Sequence, residues 1–268
     1  IPKNYNIATD TIDKFSNTSR IALKHLSQDG LLTEYSYKYL SDKSNQLANV
    51  LDNICVKGDD RVGIILGQCP ETVISHIACF KSGKISIPLF SLFGEEALSF
   101  RLNDSQASTV ICDELSLKKI FKIKELLSNL KNIISINQKK TNNTVYNFYD
   151  LIDKASDKYK NIKSKSYDPA LIIYTSGTTG NPKGALLPHK VLLGHIPGVE
   201  MPHEFLDSSV PTTDCFWTPA DWAWIGGLFD VLMPALYFGL PVISYRAQKF
   251  DPEFSFQLLE KYEVKNSF

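Results

Sequence analysis

"RVGIILGQCPETVISHIACFKSGKISIPLF", residues Arg61 to Phe90, reads as a strand, a helix and a second strand. "RVGIIL" (Arg61–Leu66) is a short continuous apolar run, the pattern of a strand buried on both faces. Pro70 stands where a first helical turn tolerates a missing N–H, and Val73, Ile74, Ile77 and Ala78 follow at helical spacing before Gly83. "ISIPLF" (Ile85–Phe90) is the next strand. Strands joined by a helical crossover of this length lie parallel, and their sheet needs helices on both faces.

The same alternation continues on either side. Ser36 is placed to cap a helix carrying Leu40, Leu47, Leu51 and Ile54 on one face, with Gly58 closing it. After Phe90 come a helix from Glu95 to Asn103, the strand "STVIC", a helix from Ser116 to Leu130 and the strand "NIISI". Between Asn137 and Asp168 the composition shifts to Lys, Asn, Ser and Asp, with one short helix candidate in "YNFYDLIDKA". A second alternating block follows. It runs through strand Ala170–Thr175, strand Ala185–Leu187, a helix-like stretch after His189, strand "CFWT", helix Trp224–Phe238, strand "PVISY", helix Pro252–Tyr262 and a last strand from Val264. The expectation is an α/β chain divided into a first subdomain (1–140), a linker or surface segment (141–168) and a second, incomplete subdomain (169–268).

The chain's 268 residues allow a substantial core. Its 29 basic and 29 acidic residues balance, which excludes a nucleic-acid or membrane partner held by bulk charge and leaves any anion site local. No run approaches the roughly 18 apolar residues of a membrane span. "IPKNYNIATD" lacks the basic start and apolar stretch of a signal peptide, so the cytosol is the expected location. Five cysteines (Cys55, Cys69, Cys79, Cys112, Cys215) are scattered without a C-x-x-C pair or a histidine at metal spacing, the pattern of reduced, core-filling thiols. No metal ligands are assigned. The missing initial methionine and the strand-like end "YEVKNSF" raise the expectation of a fragment.

"YTSGTTGNPKGALLP" (Tyr174–Pro188) follows an apolar run with three glycines, one serine, three threonines and a lysine. Glycines permit positive φ and close approach to a ligand, while hydroxyls and successive N–H groups surround phosphate oxygens. A strand running directly into such a loop is the usual phosphate position in α/β sheets. An exposed hairpin between strands ending at Thr175 and starting at Ala185 fits the residue types as well. Two phosphate motifs are excluded by spacing. Lys183 stands between Pro182 and Gly184, which breaks the Walker pattern, and no G-x-G-x-x-G is present.

Thr175-Ser176-Gly177-Thr178-Thr179-Gly180-Asn181-Pro182-Lys183-Gly184 closely resembles the phosphate loop of adenylate-forming (AMP-binding) enzymes. "FWTPADWAWIGGLFDVLMPALYFGLPVI" (Phe216–Ile243) resembles the W-x-x-x-D-x-x-W segment of acetyl- and medium-chain acyl-CoA synthetases rather than the P-x-F-H version of luciferase-like ligases. Weaker likeness reaches back to about Thr33. The resemblance implies stacked αβαβα-type subdomains with mostly parallel sheets, a truncated large N-terminal domain of that fold.

It also implies a function: activation of a small carboxylic acid, short- or medium-chain, by ATP, then acyl transfer to coenzyme A. Thr175, Ser176, Thr178 and Thr179 would donate to phosphate oxygens, Gly177 and Gly180 would let the loop move, and Lys183 would follow the leaving pyrophosphate. Mg²⁺ would bridge phosphate oxygens. Trp224, with Trp222 and Gly226, becomes a candidate for the acyl pocket or the coenzyme A route, although at least one of Trp217, Trp222 and Trp224 is expected to be core packing. Asp221 is expected to cap the following helix, and His189 to be a packing or cap residue.

The family's P-P-T stretch, Tyr-Gly-x-Thr-Glu segment, ribose-binding aspartate and C-terminal domain do not occur in these residues. About half of a typical member is therefore present, and the expectation is that this fragment alone is inactive. An adenylation domain loading a carrier protein, and a non-catalytic nucleotide-binding protein, are the alternatives.

Overall fold

The computed structural model describes residues 1–55, 60–175, 180–207, 209, 214–246 and 249–268. The first part of the chain runs α1 (Ile7–Asp10), β1 (Ile21–Leu26), β2 (Leu32–Ser36), α2 (Tyr37–Ile54), β3 (Arg61–Ile65), α3 (Pro70–Ser82), β4 (Ile85–Pro88), α4 (Glu95–Asp104), β5 (Thr109–Cys112), α5 (Glu114–Ile123) and β6 (Asn132–Ser135). It continues through β7 (Tyr146–Asn147), α6 (Phe148–Ile152), β8 (Pro169–Thr175), β9 (Lys183–Pro188), α7 (Val191–Glu200) and β10 (Cys215–Trp217). A π-helix (Gly226–Leu232), α8 (Met233–Phe238), β11 (Val242–Tyr245), α9 (Pro252–Lys261) and β12 (Val264–Ser267) complete it.

The opening stretch forms the expected unit. Arg61 pairs with Ile85 and Ile64 with Pro88 in parallel register, and all of α3 between them is buried. Pro70 occupies the first turn, and Gly83 ends the helix in the left-handed region at φ 68°, where a Cβ would meet Ile162 at 2.5 Å. Only glycine closes that turn without displacing Ile162. Ser36 caps α2 by accepting from the N–H of Tyr39 at 3.1 Å. α2 ends at Ile54, and Gly58 lies outside the described residues.

Two sheets result. The larger has the order β7-β6-β5-β3-β4-β8-β9, parallel except for β9, which runs antiparallel to β8. The smaller has the order β12-β10-β11-β1-β2, parallel except for β2. One apolar core joins Val62, Ile64 and Ile173 of the larger sheet to Leu23, Phe216 and Val242 of the smaller, through α2, α3 and α8. A second core packs α4 and α5 on the far face of the larger sheet, and a third packs α9 on the far face of the smaller. These layers make the stacked αβαβα arrangement.

Sheet membership does not follow chain order. β8 and β9 extend the sheet built from residues 61–135, while β1 pairs with β11, Leu23 opposite Val242. The segment from 153 to 164 is fastened along α2, where Asn45, Gln46 and Asn49 donate to the carbonyls of Asp157, Ala155 and Ser156. Among the described residues no helix is long and apolar enough to cross a membrane.

Two expected helices are altered. The stretch from Ser116 to Leu130 instead starts at Glu114, because Asp113 accepts from the N–H of Ser116 at 2.7 Å, and α5 stops at Ile123. The single helix expected from Trp224 to Phe238 is a π-helix running into α8. Pro234 lacks an N–H at that junction, and the N–H of Met233 reaches back five residues to Leu228.

Candidate functional site

β8 emerges from the larger sheet at Thr175 and returns as β9 at Lys183, two residues before the expected start at Ala185. Thr175 and Lys183 face each other as the last register pair of this hairpin. Ser176, Gly177, Thr178 and Thr179 lie outside the described residues. Gly180 adopts φ 134°, which side chains rarely tolerate. Lys183 is exposed and makes no ion pair among the described residues. The base of the hairpin is firm. Tyr174 is buried and donates from its hydroxyl to Asp104 at 2.6 Å, and burial, then that bond, pushes the phenol pKa up. Gly184 lets the returning strand approach, since a Cβ there would lie 3.0 Å from Ile172.

The aromatic segment follows β10. Asp221 accepts at Oδ1 from the N–H of Ala223 at 2.8 Å and at its carbonyl from that of Trp224 at 3.1 Å. It therefore caps a turn just ahead of the π-helix. Burial raises its carboxyl pKa to about 6. Trp222 is fully buried in the main core, so the structure gives it packing rather than a place in a pocket. Trp224 is 44% exposed, with its ring 5.7 Å from Phe90 and 6.0 Å from Phe93. Gly226 begins the π-helix under the ring of Phe268. Gly227, which sequence reading passed over, is the tighter constraint: a Cβ there would stand 2.6 Å from the carbonyl oxygen of Asp221.

Trp224 guards a cavity of about 800 Å³ at the carboxyl ends of strands from both sheets. Phe90 and Ser91 line it from the larger sheet, and Trp217, Tyr245 and Arg246 from the smaller. Buried Gln68 joins the two sides. Its Nε2 donates to the carbonyls of Thr218 and Ala220 at 3.0 and 2.8 Å, and its Oε1 accepts from the N–H of Tyr245 at 3.2 Å. Arg246 places Nη1 2.6 Å from Asp113 Oδ2, and Nη2 donates to Ser91 at 3.3 Å. Gly67 leaves room for the arginine stem, which a Cβ would approach to 3.0 Å. Gln68 and Arg246 were not singled out from sequence. Each follows a strand end, the position α/β folds use for ligands, and that was the available signal.

The histidines divide into two kinds. His189 is buried, accepts at Nδ1 from the N–H of Ile7 at 3.3 Å and sits edge-on to Phe80, which is a packing role. Burial lowers its pKa to about 4, against the opposing pull of Asp168. His195 on α7 instead pairs through Nδ1 with Asp230 of the π-helix at 2.8 Å. Among the described residues, no group of three or more His, Cys, Asp or Glu is placed to hold a metal ion.

The model of the AMP-binding enzyme family matches residues 16–266. The chain is 25% identical over 272 residues to an acyl-coenzyme A synthetase, ACSM2, mitochondrial, of Rattus norvegicus, covering 98% of this chain and 46% of that protein. It is likewise 25% identical over 274 residues to the human acyl-coenzyme A synthetase ACSM3, mitochondrial, with the same coverage. The crystal structure of a Brucella canis acyl-CoA synthetase superposes with TM-score 0.86 at 26% identity, covering 98% of this chain and 47% of that one. The anthranilate CoA ligase AuaEII, in complex with anthranoyl-AMP, gives the same TM-score at 20% identity and shares the fold. The chain spans about half the length of the relatives it matches. It belongs to the AMP-binding enzyme family.

Proposed function

We propose that this chain is the phosphate-handling portion of an acyl-CoA synthetase for short- or medium-chain acids. The reading rests on one observation above all: a glycine- and hydroxyl-rich loop closed by the Thr175–Lys183 pair at the carboxyl end of a parallel strand. In the first step a carboxylate oxygen attacks the α-phosphorus of ATP, pyrophosphate leaves and an acyl-adenylate forms. Thr175, Ser176, Thr178 and Thr179 donate to the β- and γ-phosphates, and Lys183 neutralises charge growing on the leaving group. Gly177 and Gly180 allow the loop to follow it. Magnesium would come with ATP and would supply neutralisation of phosphate charge, a role that asks for few protein ligands.

In the second step the sulfur of coenzyme A attacks the acyl carbon, and AMP leaves with the phosphate oxygen. The cavity behind Trp224 is the proposed route for the thiol, with Phe90 and Trp224 as its aromatic mouth. Coupled ATP and coenzyme A consumption by the full-length gene product, against acids from acetate to aromatic and branched examples, tests the reading. Acid-dependent consumption of both is expected; acid-dependent adenylation with no transfer to coenzyme A would overturn it in favour of another acceptor.

A further inference from the structure

Asp221 belongs to the wall of the cavity as well as to the turn ahead of the π-helix. That turn uses only one carboxylate oxygen, Oδ1, which accepts from the N–H of Ala223 at 2.8 Å. Oδ2 takes no hydrogen bond from any described residue, yet it is not sealed in the interior. A half-buried carboxylate on a cavity wall therefore has its second oxygen open to the cavity.

The group is held in place from several sides. The carbonyl of Ala220 accepts from Gln68 Nε2 at 2.8 Å, the N–H of Ala220 donates to Thr218 Oγ1 at 3.0 Å, and the carbonyl of Asp221 accepts from the N–H of Trp224 at 3.1 Å. Gly227 of the π-helix packs against that same carbonyl. An acid or base must sit within hydrogen-bond reach of the proton it moves, and a carboxylate anchored in this way keeps one position.

Its charged surroundings are sparse. The neighbour from the π-helix is Gly227 and that from the end of β3 is the uncharged Gln68. Arg246, at the end of β11, is paired with Asp113 at 2.6 Å. Of the other titratable groups lining the cavity, Asp251 is exposed and caps α9 by accepting from the N–H of Phe254 at 3.1 Å, Lys249 is exposed, and Tyr245 packs its ring on Phe254. Burial, against the pull of the Ala223 N–H and of Arg246, leaves the Asp221 carboxyl at about 6: ionised at neutral pH and more basic than an exposed aspartate. Trp224, three residues on, forms the mouth of the cavity with Phe90.

We infer, on the reading that coenzyme A enters by this cavity, that Asp221 is the base that takes the thiol proton in the second step. The S–H proton moves to Oδ2, and the sulfur's electron pair forms the bond to the acyl carbon. The bond from that carbon to the phosphate oxygen breaks, its pair leaving with AMP, and Asp221 then passes the proton to water. A thiol ionises near pH 8.5, so only a few per cent of it is thiolate at pH 7, and a base on the route makes the remainder usable.

The test follows single-turnover acyl transfer on the full-length gene product from pH 5 to 9. It starts from adenylate preformed with whichever of acetate, butyrate, octanoate and benzoate is used best. Transfer by the parent enzyme should be level above neutrality and fall in acid with an apparent pKa near 6. Asp221→Asn keeps Oδ1 for the Ala223 N–H and should slow transfer at pH 7 about a hundredfold, with adenylation slowed far less. Its remaining rate should climb about tenfold per pH unit up to about pH 8.5, as the thiol ionises unaided. A parent profile without the acid limb, a variant profile unchanged in shape, or equal slowing of the two steps overturns the base and leaves the coenzyme A route standing. The parent profile needs no substitution, so a variant that fails to fold does not shield the proposal. Adenylate that forms but never passes to coenzyme A overturns the route and the base together, and no adenylate with any acid overturns the acyl-activation reading itself.

Discussion

Arg246 at the end of β11 lies 2.6 Å from Asp113 at the end of β5, so one side chain ties the smaller sheet to the larger beneath the cavity. Asp113 is nearly buried and also caps α5, and the arginine is its charge partner. Arg246→Ala leaves that carboxylate unpaired and should cost about 1–3 kcal/mol in urea denaturation. Asp113→Asn keeps an oxygen for the cap without the charge. The double variant should therefore be less destabilised than the sum of the singles; strict additivity would show that the contact carries no coupling.

Lys183→Ala in the full-length gene product should slow single-turnover adenylation about a hundredfold, while transfer from preformed acyl-adenylate slows much less. Equal slowing of both steps would count against a role at the leaving pyrophosphate.

This chain by itself, residues 1–268, should support no acid-dependent pyrophosphate exchange. It spans less than half the length of the synthetases it matches, and on the proposed reading the loop acts together with groups outside this span. Measurable turnover that depends on added acid would refute this.

Acid should destabilise the fold through His189. Its folded pKa, lowered to about 4 by burial, lies below the ordinary value of about 6.5, so the unfolded chain binds the proton first. The stabilisation is full above about pH 6.5 and is lost as pH falls towards 4, on the order of 2–3 kcal/mol. His76, buried beside Phe80 with its pKa lowered to about 3, acts in the same direction. His189→Asn retains an acceptor for the N–H of Ile7 but does not titrate. Denaturation midpoints between pH 7 and 4 should fall less steeply in this variant, and an unchanged slope would remove His189 from the account.

Two glycines should respond in opposite ways. Gly227→Ala drives a methyl against the carbonyl of Asp221 and should cost more than about 2 kcal/mol. Gly194 lies inside α7 with nothing within 4 Å of a Cβ, so Gly194→Ala should stabilise by about 0.5–1 kcal/mol. Thermal melts of both variants check the pair.

What could be read in the residues was local. The strand–helix–strand unit from Arg61 to Phe90 carries its own periodicity, its proline and its closing glycine, so it needed no distant partner. The two strands that flank the loop, β8 and β9, were legible for the same reason, with β9 starting two residues earlier than expected. β1 was not: Lys24 and His25 interrupt its apolar run, and its register is set by β11, far along the chain. Trp222 and Trp224 look alike in sequence, yet one fills the core and the other stands at a cavity mouth, a distinction made only by packing. His195 and Asp230 are 35 residues apart, and the packing of α7 on the π-helix that brings them together has no pattern in the residues themselves.

The interleaving of early and late strands also sets an order of assembly. β1 pairs with β2 as a nearby hairpin, but its other edge is claimed only when Val242 reaches Leu23. At about 5–20 residues per second, the interval between synthesising those two residues is roughly ten to forty seconds. Throughout it, one edge of a nascent strand stays open while the larger sheet, whose strands lie between Arg61 and Pro188, is already available to fold. The smaller sheet is thus the late step of biogenesis, and its waiting edge is where a chaperone has most to protect.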